Sequence, residues 1–146
     1  MRTYKLYLIE DEFASHYFGK ERMFYQLFKE FEQSKGQLKA IIDKQINYIT
    51  KPIPALKLHQ LLHQKLMKNK DFHIEAGSYF IEKSNKQSAA KLEIFDRYLV
   101  LESGGSYDAE TIFFEVIRKC ENAFLAVDLD KKLYGWLKPI KERKFV

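Results

Sequence analysis

The sequence has little of several features from which function is commonly assigned. A single cysteine, Cys120, stands among its 146 residues, which excludes an internal disulfide. No run approaches 18 apolar residues, so the sequence predicts no membrane-spanning helix. Met1 and Arg2 are followed by a strand-like run and not by the apolar segment of a signal peptide, so we expect a cytoplasmic protein.

Motifs of catalysis are lacking as well. The sequence contains neither the G-x-S-x-G turn of many hydrolases nor a P-loop. The turn Ser103-Gly104-Gly105 precedes a helix and could bind an anion, but glycine-rich turns of this kind are far commoner than phosphate sites. Cys120 has no partner in a C-x-x-C motif, which argues against a redox role. We therefore predict that the chain is not an enzyme and that it uses no cofactor and no small-molecule substrate.

Two histidines have the spacing of metal ligands on one helical turn. His59 and His63 are separated by four residues, but the zinc-protease pattern also requires a glutamate directly after the first histidine, where this chain has Gln60. Two surface histidines on an amphipathic helix are the simpler interpretation, so no metal site is predicted. A metal-dependent enzyme stays open as an alternative, and transition metal bound to the purified protein would support it.

Apolar and basic residues are plentiful. Hydrophobic residues make up 46% of the chain, and its twelve phenylalanines and nine tyrosines could fill the core of one domain spanning residues 1–146 and still contribute to an interface. The net charge of +5 is mild, and we interpret the basic residues as solvated surface. A small basic nucleic-acid-binding module stays open as an alternative because lysines cluster at Lys65, Lys68 and Lys70 and again in the C-terminal tail.

Hydrophobic periodicity predicts a mixture of helices and strands. Strands are expected at 3–9, 72–83, 89–95, 97–103, 123–128 and 132–137; helices are expected at about 11–17, 20–33, 37–50, 54–68 and from an N-cap at Ser106 to about Cys120. This order predicts an α+β fold in which a mainly antiparallel or mixed sheet packs against helices. The tail from Pro139 to Val146 is expected to be irregular.

Two features of these helices leave a choice between core and interface. Phe13 and Tyr17, four residues apart, project from one face of the first helical turn. In the helix at 37–50, Gln45 falls in the middle of an apolar stripe whose other members are Leu38, Ile41, Ile42, Ile46 and Ile49. A buried amide needs internal partners, so Gln45 either forms hydrogen bonds within the protein or serves a binding partner.

Four segments resemble the SirA family, the sporulation inhibitors of replication of Bacillus and its relatives. They share long, aromatic-rich motifs in the same order, and they cover both ends of the chain and the helix at 37–50. The segments are Tyr7-Leu8-Ile9 with Glu12-Phe13-Ala14 and His16-Tyr17-Phe18-Gly19; Lys44-Gln45-Ile46 with Tyr48-Ile49-Thr50 and Pro52-Ile53-Pro54; Glu110-Thr111-Ile112-Phe113-Phe114-Glu115-Val116; and Tyr134-Gly135-Trp136-Leu137 with Pro139, Lys141-Glu142-Arg143 and Phe145-Val146.

The resemblance implies a function and a binding site. It implies a cytoplasmic regulatory protein that binds the N-terminal domain, domain I, of the replication initiator DnaA during sporulation and blocks its assembly at the chromosome origin. The family residues that contact DnaA match Phe13, Tyr17 and Gln45. This favours the interface interpretation of Gln45, whereas Ala14 and Phe18 are expected to lie partly in the core.

Overall fold

The computed structural model describes residues 1–83 and 87–138, which form five helices and seven strands. In chain order they are β1 (Arg2–Leu8), α1 (Asp11–His16), α2 (Arg22–Gln33), α3 (Gly36–Ile49), α4 (Ala55–Leu66), β2 (Phe72–Glu75), β3 (Ser78–Glu82), β4 (Ser88–Ile94), β5 (Leu99–Gly105), α5 (Asp108–Cys120), β6 (Phe124–Asp128) and β7 (Leu133–Trp136). The strands form one sheet in the order β2-β3-β4-β5-β1-β6-β7, and every neighbouring pair is antiparallel. The predicted α+β fold class is confirmed.

The sheet is covered by helices on both faces. Side chains of a strand alternate between faces, so Tyr4 and Tyr7 of β1 point in opposite directions. Tyr4 packs edge-on against Phe114 of α5, and α4 lies beside α5 on this face. On the other face Tyr7 stacks on Phe28 of α2, with ring centroids 3.8 Å apart. Helix α3 packs against α2, and this pair carries the candidate site.

Two strand predictions were wrong in detail. Residues 72–83 form a hairpin of β2 and β3 and not one strand, because Ala76 and Gly77 both have positive φ, 51° and 79°, as a two-residue type I′ turn requires. The alanine at the first turn position gave no strong sequence signal for a turn. Strand β5 begins at Leu99 and continues through Ser103 to Gly105, residues that were expected to end it.

The predicted cap of α5 was also wrong. Tyr107 occupies the N-cap position, and the Ser106 hydroxyl is turned toward the Asp108 carboxylate. The backbone N–H of Ala109 donates instead to Oγ of Ser88, at 2.9 Å, and this hydroxyl donates to the carbonyl of Ser106. A hydroxyl from β4 therefore satisfies the helix start, which local sequence could not reveal.

The apolar stripe of α3 is divided between core and solvent. Ile42 and Ile46 are buried, but Leu38 and Ile41 are 56% and 55% exposed, so the residues of the predicted stripe do not share one environment. Apolar side chains cover more of this helix than its contact with the sheet and α2 can bury. The excess apolar residues form a second, exposed stripe.

Three smaller expectations fall on other parts of the chain. Ala14 is buried as predicted, but Phe18 is 41% exposed, so its expected place in the core was wrong; Phe18 lies beyond the end of α1, where the helical spacing no longer applies. Cys120 is a buried thiol, and burial raises its pKa. The tail from Pro139 to Val146 lies outside the described residues.

Over the described ranges 1–83 and 87–138, no helix combines the length and the apolar character that crossing a bilayer requires.

Candidate docking face

Helix α1 carries the first two residues of the predicted site. Asp11 and Glu12 occupy its first turn, where negative charge interacts favourably with the helix dipole. Phe13 follows and is half-buried, and Tyr17 is the residue directly after the helix. The Tyr17 N–H still donates to the carbonyl of Phe13, at 3.0 Å, so the two side chains keep the spacing of one helical turn.

The tyrosine is supported by the core of the protein. The Tyr17 ring packs edge-on against Phe24 of α2, with centroids 5.7 Å apart, and makes a second edge-on contact with His16 at 4.9 Å. Phe24 is buried and contacts Trp136 of β7. The Tyr17 ring therefore rests on a fixed aromatic base and stays half-exposed.

Gln45 of α3, the third predicted residue, lies on the surface. It belongs to the exposed stripe of α3, whose members Leu38, Ile41, Gln45 and Tyr48 fall within an arc of about 80° on the helix. Exposure rejects the internal hydrogen-bonding role for Gln45. Its amide is available to a partner and is bordered by the apolar side chains of Ile41 and Tyr48.

An aromatic contact joins the two helices. Tyr48 is 74% exposed, yet its ring packs edge-on against Phe13, with centroids 5.3 Å apart. Neither the role of Tyr48 nor the exposed position of Ile41 was predicted from the sequence. The spacing of the apolar residues in α3, which forms two adjacent stripes and not one, was the signal that could have identified them.

Backbone hydrogen bonds fix α1 next to the end of α3. The N–H of Glu10 donates to the carbonyl of Ile49 at 2.8 Å, and that of Lys51 donates to Leu8 at 2.7 Å. Ile9 and Thr50 form a β-bridge between the same segments. The structure therefore brings Phe13 of α1, with Tyr17 one turn further along the chain, next to Tyr48 of the exposed stripe of α3. We call Phe13, Tyr17, Ile41, Gln45 and Tyr48 the docking face.

The loop after α1 is held by a carboxylate. Glu21 accepts hydrogen bonds from Nε1 of Trp136 and from the N–H of Gly19, both at 3.1 Å. Burial alone would raise the pKa of Glu21, but these hydrogen bonds stabilise its charged form and the net effect lowers the pKa. The Glu21 carboxylate thus connects the loop to the tryptophan that packs behind Phe24.

This lowered pKa predicts an acid-dependent loss of stability. A carboxyl group whose pKa is lower in the folded state stabilises the protein above its unfolded pKa of about 4.3, and the stabilisation disappears as the pH falls through the folded value. We expect the free energy of unfolding to fall less between pH 6 and pH 3 in Glu21→Gln than in the wild type, measured by urea titration. Glu30→Gln, a change at an exposed position of α2, the helix that begins directly after Glu21, is the control. A fall of wild-type size in Glu21→Gln would contradict the assignment.

The two histidines of α4 have a different environment. His59 is half-buried, and its Nδ1 is hydrogen-bonded to the hydroxyl of Tyr79 in β3. The ring of His63 lies edge-on to the same tyrosine, at 6.3 Å. In the part of the chain that the structure describes, no three histidine, cysteine or acidic side chains are grouped as a metal site would need. Both histidines thus contact the tyrosine that packs under α4.

The fold and the docking face define a class of protein. An α+β scaffold holds two helices side by side and presents three aromatic rings, an amide and the apolar side chain of Ile41 at its surface. Aromatic residues surrounded by adaptable polar groups are the usual chemistry of protein recognition. Such an arrangement is typical of small proteins that bind another macromolecule through their surface.

Comparison with known proteins identifies the family. The sequence model of the family described as "Sporulation inhibitor of replication protein SirA" matches residues 2–141. A curated relative, "Sporulation inhibitor of replication protein SirA" of Bacillus subtilis (strain 168), is 42% identical over 147 residues, which cover 99% of each chain. The chain belongs to the SirA family, as the resemblance of its motifs predicted.

Proposed function

We propose that this protein inhibits the initiation of DNA replication during sporulation by binding domain I of DnaA through the docking face. The bound protein covers a surface that DnaA needs for productive assembly at the chromosome origin. It works by occupancy and not by catalysis, as a single cytoplasmic domain without a cofactor. Membership of a family described as sporulation inhibitors of replication supports the regulatory role.

One observation of the structure carries the assignment of the surface. The residues that the family resemblance implies, Phe13, Tyr17 and Gln45, come from two separate helices, yet the fold places both helices at one region through the contact of Phe13 with Tyr48. Exposed apolar side chains with a bordering amide suit a reversible interface of about 1,000–1,600 Å² in total. Their exposure gives no benefit to folding, and docking gives them a role.

Titration calorimetry against isolated domain I of DnaA from the same organism tests the proposal. We expect saturable binding near 1:1, with only a modest dependence on salt because the docking face is aromatic and amide-bearing. Binding to DNA through the basic clusters would instead weaken by orders of magnitude between 50 and 200 mM salt. A folded protein that binds duplex DNA under these conditions but not domain I would overturn the proposal.

A further inference from the structure

An arginine behind the docking face ties the end of α3 to the sheet. Arg97 lies in the turn between β4 and β5, and one nitrogen of its guanidinium, Nη2, faces the last turn of α3. This nitrogen donates to the carbonyl of Asn47 at 2.8 Å, and to the carbonyl and Oγ1 of Thr50 at 2.9 and 3.1 Å. Carbonyls at a helix C-terminus lack partners within the helix and carry partial negative charge, so a cation there satisfies and stabilises them.

The hydrogen bonds of Arg97 join the β4–β5 turn to α3 at a place where side-chain packing between the helix and the sheet is incomplete. A cleft of ≈ 390 Å³ lies between the second half of α3 and the sheet, lined by Asp43, Ile46 and Asn47 on the helix side and by Lys5, Tyr7 and Arg97 on the sheet side. The buried side chains of α3 are only Ile42 and Ile46 within the described residues. The end of the helix therefore meets the sheet through a few contacts: buried Ile46 and Thr50, the backbone hydrogen bond of Lys51 to Leu8, and the hydrogen bonds of Arg97.

A further hydrogen bond connects the β4–β5 turn to the segment that follows α3. The N–H of Ile53 donates to the carbonyl of Asp96 at 2.8 Å, next to the arginine. Thr50, which accepts from Arg97, donates its own hydroxyl proton to the carbonyl of Ile46 at 2.7 Å. The guanidinium thereby holds the backbone at Asn47 and Thr50, on either side of Tyr48 and in the turn that follows Gln45.

We infer that Arg97 is a positioning residue for partner binding. It fixes the last turn of α3, so that Gln45 and Tyr48 are held in position relative to Phe13 and Tyr17 and all four can contact the partner together. Arg97 itself lies on the side of α3 away from the exposed stripe and need not touch the partner. The inference rests on the proposed function for its binding readout, but the ordering of α3 can be measured without a partner.

Amide hydrogen exchange of the free protein tests the ordering. In Arg97→Gln, we expect faster exchange at the Thr50 N–H, which bonds to Ile46, and unchanged exchange in the central strands β1 and β5. Arg97→Lys should recover part of the protection because an ammonium group still donates to carbonyls. Arg118→Gln removes an exposed arginine of α5 and is the matched control. Equal loss of protection at Thr50 and in the central strands, or no loss at Thr50, would overturn the inference.

Binding to domain I of DnaA supplies a readout that a merely structural role would not change. Substitution of a residue that does not contact the partner can still change affinity by roughly three- to tenfold, and we expect a loss of that size in Arg97→Gln. Combined with Arg97→Gln, Gln45→Ala should cost less affinity than it does alone, whereas the loss from Tyr17→Ala should be additive. Full additivity with Gln45→Ala would reject the positioning role. Failure of the wild type to bind would reject the proposed function and leave hydrogen exchange to decide whether Arg97 orders α3.

Discussion

Replacing Tyr17 with alanine is expected to weaken binding to domain I of DnaA about tenfold or more, equivalent to at least about 1.4 kcal/mol. The tyrosine ring rests on buried Phe24 and can be covered by a partner without reordering, as interface hot spots usually are. Because the edge-to-face contact with Phe24 is lost as well, the free energy of unfolding should fall by about 0.5–1.5 kcal/mol. Calorimetry and urea denaturation of the same sample separate the two effects.

Other tyrosines provide the controls for this prediction. Tyr48→Ala removes the most exposed aromatic ring of the docking face and should reduce affinity while changing stability least. Tyr107→Ala removes a comparably exposed ring at the start of α5. Because α5 covers the opposite face of the sheet from α2 and α3, this change should leave affinity unchanged. Equal affinities of the Tyr17→Ala, Tyr48→Ala and wild-type proteins would show that binding uses a different surface.

The second large effect is expected in the core, where Glu110→Ala should lower the free energy of unfolding by about 3–5 kcal/mol. The Glu110 side chain is 2% exposed and accepts from Nε of Arg2 at 2.6 Å and from Oγ of Ser103 at 3.0 Å. Its removal leaves the Arg2 guanidinium partly buried without a counter-charge. Burial, together with the neighbouring Glu110 carboxylate, also raises the pKa of Tyr4, which lies on the same face of β1 as Arg2.

A matched change on the same helix distinguishes this network from ordinary surface charge. Glu115 pairs with Arg118 at 3.3 Å, but both side chains are largely exposed, so Glu115→Ala should cost no more than about 1 kcal/mol. Urea denaturation of both variants gives the comparison. Similar losses would show that the buried ion pair contributes nothing beyond a surface pair. Replacing Arg2 and Glu110 together by apolar residues should cost less than Glu110→Ala, because no buried charge remains unpaired.

Much of the fold followed from local patterns. Phe24 and Phe28, four residues apart, form the buried side of α2, and Pro52 and Pro54 lie between α3 and α4, features that helical spacing and proline chemistry explain locally. Errors arose where the deciding contact is distant in sequence. The start of α5 is satisfied by Ser88, about twenty residues earlier, and the hairpin at Ala76 has positive φ at a residue that seldom adopts it. Neither feature leaves a local signature.

The candidate site shows the same division. Helical spacing paired Phe13 with Tyr17, and the amide of Gln45 on an apolar stripe indicated either an internal network or an interface. Whether Gln45 faced the core or solvent depended on which side of α3 met the sheet, and the apolar residues of this helix allowed more than one answer. The role of these residues in binding DnaA stays a prediction that the proposed titrations test.

The sequence by itself determined the types of most elements, the fold class and the family, because periodicity and motif spacing are local properties of the chain. Only the tertiary structure decided the antiparallel strand order, the exposure of Ile41 and Gln45, the contact of Phe13 with Tyr48 and the hold of Arg97 on α3. These features depend on contacts between segments far apart in the chain. Which side chains are buried is decided by how all the elements pack together to remove apolar surface from water, and this depends on the whole molecule.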